Sequence, residues 1–301
     1  MRLATAILLL AVATAQAQPA PQQTESITVT GARSRQVLDR FVQSFAAPTR
    51  MTGKLARWED GVCPSVKGLS ATFAKFITEK IKAVASEVGA PTARSARCRP
   101  NVEILFSTQP QALLDDIRRK SPVLLGYHDT ESQRDQSAII HRPIQSWYVT
   151  QTVDVRGHPE VDDARRGGGI EIVISPQLPP IFIPHATSPA VTGSRLGDGL
   201  RSDFQHILIV ADSAKLGSFG MGELADYIAM LALTQLSTLD ACQQLPSIVN
   251  MLTSGCSNPV QALTANDLGY LRGVYKMGPD RNFRSQQDEI AYQMQRTQDG
   301  K

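Results

Sequence analysis

Very little separates the charges of this chain: 31 Lys and Arg stand against 28 Asp and Glu, for a formal net charge of +3. Basic runs interleaved with aromatics are missing as well, so nothing points to nucleic acid as a partner. No apolar run approaches the ~20 residues that a membrane-spanning helix needs. The sequence contains no H-E-x-x-H, the two-histidine helix of catalytic zinc sites, and no G-x-S-x-G nucleophile elbow. There is no C-x-x-C and no histidine at ligand spacing from any of the four cysteines, so a structural zinc is not indicated either. The histidines His128, His141, His158, His185 and His206 each stand alone and read as loop or strand residues. No cofactor is implied.

What is present begins at the N-terminus. Met1-Arg2 is followed by an apolar run over residues 3–15 and by Ala15-Gln16-Ala17, a small-x-small cleavage site. That is the layout of a secretory signal peptide over residues 1–17, and it sends the mature chain to the periplasm or out of the cell. Residues 18–25 read as a polar, flexible leader. In an oxidising compartment four cysteines read as two disulfides. Three pairings are open, of which the two local ones, Cys63–Cys98 and Cys242–Cys256, are preferred. Both together leave no thiol for Cys–His chemistry.

With 42% hydrophobic and 20% charged residues, the chain can bury a sizeable core. The pattern predicts one compact α+β domain over residues 26–277, with a mixed sheet and a polar, disordered tail over 278–301. Residues 26–31 alternate as a short strand, and 33–45 carry apolar residues at helical spacing. Ser70 predicts the N-cap of a helix ending before Gly89, with Phe73, Phe76, Ile77, Ile81, Val84 and Val88 on one face. A strand over 101–108 and a helix over 110–120 follow, the helix with Pro110 in its first turn. Strands are predicted over 146–155, 170–175 and 204–212. The Pro- and Gly-rich stretch 177–199 reads as a surface excursion. Thr264 and Asp267 predict a capping box opening a last helix over 263–275.

The stretch 219–236, FGMGELADYIAMLALTQL, is apolar on nearly every side. A helix of that kind, from about 221 to 236, belongs in the middle of a core. Its two acids, Glu223 and Asp226, lie three apart on one face. They are the candidates for acid–base work, against the alternative that they complement the positive end of the helix. Asp226, set between Ala225 and Tyr227, is expected to accept hydrogen bonds from backbone or an Arg.

The order strand, central helix, disulfide-bounded turn, then Leu263-Thr264, Asp267, Tyr270-Leu271 and Tyr275 resembles a zincin-type metallopeptidase domain over residues 204–276. In the place where such enzymes carry H-E-x-x-H, this chain has Ala225-Asp226-Tyr227-Ile228-Ala229. The segments WEDGVCPSVKGLS and ADYIAMLALTQ, with the final helix, also resemble a family of exported, uncharacterised proteins of alphaproteobacterial type. The resemblance implies a zincin-like scaffold in the C-terminal half without its metal ligands. Two readings follow. One is a non-catalytic exported module that binds an envelope or extracellular partner. The other is a hydrolase with an unusual site around Asp226 and Glu223.

Overall fold

The computed structural model describes residues 31–95, 97–162, 169–172, 181–184, 189–194, 197–237, 239–256 and 260–298. The expected signal peptide, the leader, residues 26–30 of the first strand and His185 lie outside the described residues.

Twelve residues of strand β8, Arg201–Asp212, form the axis of the sheet. Strands β3 (Val102–Ser107) and β1 (Ala56–Arg57) pair with it in parallel on one side. Strand β4, Ile144–Val153, pairs antiparallel on the other. Outside these lie β2 (Pro64–Lys67), parallel to β3, and β5 (Pro159–Val161), antiparallel to β4, giving the order β2-β3-β8-β4-β5. Strands β6 (Gly169–Ile172) and β7 (Ile181–Pro184) form a separate antiparallel hairpin. The sheet is therefore mixed, as the pattern predicts.

Helix α2, Ala71–Val88, connects the parallel pair β2 and β3. The Ser70 hydroxyl accepts from Phe73 N–H at its start, and Gly89 adopts φ 84° at its end, a left-handed position glycine occupies without a Cβ clash. The Cys63–Cys98 disulfide joins the chain just ahead of both strands. Packing against the core begins at Ile77, so Phe73 and Phe76 are 48% and 44% exposed instead of completing the buried face. Helix α3, Pro110–Lys120, and the short α4, Glu131–Ser137, lie on the opposite side, where Leu114 and Ala138 pack with Trp147, Leu208 and Val210.

The central helix α5, Met221–Leu233, is buried from Leu224 through Leu233. A helix end leaves its last carbonyls without intrahelical donors, and burial makes that costly. Three aromatic side chains solve the problem. Trp58 Nε1 donates to Ala232 O at 2.8 Å, Tyr275 to Leu233 O at 2.8 Å and Tyr148 to Leu231 O at 3.1 Å. The second disulfide, Cys242–Cys256, closes the segment that follows.

Helix α6, Ala265–Lys276, opens on the expected capping box, in which Asp267 accepts from Thr264 N–H at 2.9 Å. Buried Asp267 also accepts from Ser247 Oγ and Ile248 N–H, so one carboxylate ties α6 to the turn after α5. The polar tail expected over 278–301 is instead helix α7, Phe283–Gln298, with Ile290, Ala291 and Met294 buried. It lies against α6 and against α1, Gly31–Phe45. Gly273 permits the approach: a Cβ there would stand 2.9 Å from Ile290 Cα. Four buried positions in sixteen residues, Gln286 with those three, are enough where Gly269 and Gly273 of α6 let the helices approach closely.

Candidate functional site

The two acids of α5 do not meet in a shared site. Glu223 folds back so that Oε2 accepts the Gly220 N–H at 3.1 Å, completing the first turn of the helix. Asp226 faces α2, with its side chain only 6% exposed and Lys80 Nζ 2.8 Å from Oδ1. The ammonium lies off the direction a hydrogen bond requires, so the contact is an ion pair and Oδ1 has no hydrogen-bond donor. The partner is a lysine rather than the backbone or arginine the sequence suggests. No histidine among the described residues bonds to either acid.

The positions that would carry zincin histidines, Ala225 and Ala229, are fully buried and offer no donor atom. The residues present do not fit a zinc ion. No group of three or more metal-ligating side chains is assembled elsewhere among the described residues.

Polar chemistry collects instead at the edge of the sheet beside β4. A cleft of about 380 Å³ is lined there by Arg50, Tyr127, His128, Arg142, Tyr148 and Asp162, among others. The left-handed Gly126 (φ 80°) lets the chain pass against β4, since a Cβ would stand 2.4 Å from Tyr148 O. Asp162 is buried, and its carboxylate accepts from Thr150 Oγ1 at 2.6 Å and Thr152 Oγ1 at 2.7 Å. Burial pushes its pKa above the usual carboxylate value, against the pull of the two hydroxyls. Burial also raises the phenol of Tyr127, with Asp129 adding to the shift, and lowers the imidazole pKa of His128. The cations are held rather than free: Arg50 bonds to Asp129 and Gln133, and Arg142 to Asp240.

The His128–Ser137 pair bears on whether this cleft holds an activated serine. Ring atom Nε2 lies 2.9 Å from Leu125 O and 3.1 Å from Ser137 Oγ. A carbonyl oxygen only accepts, so Nε2 carries the proton. Ser137 spends its own proton on Arg134 O at 2.7 Å. The serine therefore faces an N–H, not a base, and is not activated as a nucleophile.

Of the remaining histidines, His141 and His158 lie in exposed loops, and His206 lies on β8 with Nε2 3.8 Å from Glu103. The cleft was not visible in the sequence because its polar groups come from positions 50, 128, 142 and 162, which share no local pattern. The one usable signal was the run of turn formers around Gly126. Comparison with protein-family models, curated proteins and solved structures gave no match to any of them.

Proposed function

We propose that this chain is an exported, non-catalytic binding protein of the cell envelope, built on a degenerate peptidase-like scaffold, and that it holds a polar ligand in the cleft beside β4. Two disulfides suit an oxidising compartment, and no described helix is long and apolar enough to cross a membrane. The scaffold reading draws support from β8 running into the buried α5 with an antiparallel strand, β4, at its flank. The observation that carries the non-catalytic part is the His128 tautomer, which leaves Ser137 without a base. A hydrolase on Asp226 and Glu223 would need acids free to exchange protons, and each is committed elsewhere.

The test is a panel of short peptides and glycan fragments added to the purified chain. Ligand-observed NMR detects binding, and chromatography of the recovered ligand detects turnover. Saturable binding with the ligand returned intact is expected, weakened by Arg142→Ala in the cleft. A cleaved product would contradict the proposal.

A further inference from the structure

Two large aromatics on α2 face water. Phe73 and Phe76 are 48% and 44% exposed, whereas Ile77, Ile81, Val84 and Val88 of the same helix are buried. The reason lies in how α2 and α5 are staggered. Both helices follow strands of one parallel set, β2 and β8, so both start at the end of the sheet where those strands stop. Lys80 meets Asp226, the tenth residue of α2 against the sixth of α5, so α2 begins about one turn beyond α5. Phe73 and Phe76 lie seven and four positions before Lys80, close to the line that faces α5. Helix α5 starts too low to cover them. Phe219 and Met221, at the head of α5, are themselves only half-buried.

The charges at this end are mainly of one sign. Lys67 closes β2, Lys75 lies between the two phenylalanines, and Lys215 ends the turn after β8; all three are exposed. The acids of the same segments are mostly withdrawn. Asp212, 3.4 Å from Lys215, is buried, Asp226 is buried against Lys80, and Glu223 is turned onto the Gly220 N–H. Glu79 is exposed, 3.6 Å from Lys75, in a surface pair of little strength. An apolar centre is thus set among lysines.

We infer that this end of the molecule docks on an anionic phospholipid surface, with Phe73 and Phe76 entering between the headgroups and Lys67, Lys75 and Lys215 meeting the phosphates. An exposed apolar patch marks an interaction surface, and its basic surround selects an anionic partner. A lipid surface supplies apolar chains and negative charge together, and an interfacial side chain needs to sink only about 5–10 Å. A second copy of the chain fits less well, because a twofold contact through this patch would bring the two sets of lysines together. The contact is peripheral and does not involve the β4 cleft.

The experiment is co-sedimentation of the full chain with vesicles of equimolar phosphatidylglycerol and phosphatidylcholine, and with vesicles of phosphatidylcholine alone. Saturable binding to the mixed vesicles is expected, about tenfold or more weaker on the neutral ones, and weakened by salt. Phe73→Ser/Phe76→Ser leaves the buried stripe from Ile77 onward in place and is expected to lose about tenfold or more. Lys75→Gln/Lys215→Gln is expected to lose roughly fivefold per lysine. A direct readout is Phe76→Trp, whose fluorescence is expected to be quenched by brominated acyl chains more strongly than that of the parent chain. Binding carried by the apolar run at residues 3–15 would leave that tryptophan unquenched. Undiminished binding by the Phe73→Ser/Phe76→Ser chain, equal binding to both kinds of vesicle, or no added quenching in Phe76→Trp would each overturn the inference. So would a dimer in the parent chain that Phe73→Ser/Phe76→Ser makes monomeric, since a second copy would then cover the patch.

Discussion

Lys80 on α2 neutralises Asp226 on α5 across 2.8 Å, and it is the ion partner of the most buried acid on the central helix. The two ends of the pair are unequal: the Asp226 side chain is 6% exposed and Lys80 36%. A lysine that loses its partner can swing its ammonium into water, whereas the carboxylate cannot leave. Lys80→Met is therefore expected to cost about 1–3 kcal/mol, the penalty of a buried charge without a partner, and Asp226→Asn less, about 1 kcal/mol or under. Urea unfolding of both variants checks the asymmetry, and equal costs would contradict it.

Two glycines in helices should respond oppositely to alanine. Alanine favours a helix over glycine by about 1 kcal/mol where space allows. At Gly222, in the first turn of α5, nothing stands within 4 Å of a new Cβ, so Gly222→Ala should stabilise by a few tenths to about 1 kcal/mol. At Gly273 the new Cβ would meet the Ile290 backbone at 2.9 Å. There overpacking outweighs propensity, and Gly273→Ala should lose about 1–3 kcal/mol. Thermal denaturation of the pair reads both signs.

These glycines also show what was legible. The ends of α2, α3 and α6 could be read because their caps are local: Ser70 with Gly89, Pro110, and Thr264 with Asp267. The disulfide pairing could be preferred because each pair brackets one unit of structure. Helix α7 was hidden because its burial depends on Gly269 and Gly273 of another helix rather than on its own composition. The β4 cleft was hidden for a related reason. Asp162 matters only because β4 sets Thr150 and Thr152 against it, and His128 only because Leu125 and Ser137 fix its ring.

Asp203 should give the fold a pH-dependent contribution. Burial raises its pKa from 3.8 to about 6, with Arg201 at 3.2 Å opposing the shift. Between those values the folded state binds more protons than the unfolded state, so the contribution of this group falls as pH rises from about 4 to about 6. Stability of the parent chain relative to Asp203→Asn should decline by about 1–3 kcal/mol across that window. Parallel urea titrations at each pH test it. A difference that stays flat or rises would contradict the burial argument.

Loop length ranks the two disulfides. Cys63–Cys98 spans 35 residues and Cys242–Cys256 spans 14. Constraint of the unfolded chain is worth about 4 kcal/mol for the longer loop and about 3 kcal/mol for the shorter. The double variant Cys63→Ala/Cys98→Ala should accordingly unfold at lower urea than Cys242→Ala/Cys256→Ala.

The central claim is that α5 is a structural spine whose acids do no chemistry. Its most direct test is a broad peptide and glycan hydrolysis screen run in parallel on the parent chain and on Asp226→Asn, each first shown to be folded by circular dichroism. Asp226 is tied to Lys80, Glu223 caps its own helix, and among the described residues His128 presents Ser137 with an N–H rather than a base. The expected result is no turnover by either protein. A hydrolytic activity in the parent chain that Asp226→Asn abolishes, with folding intact, would contradict the claim.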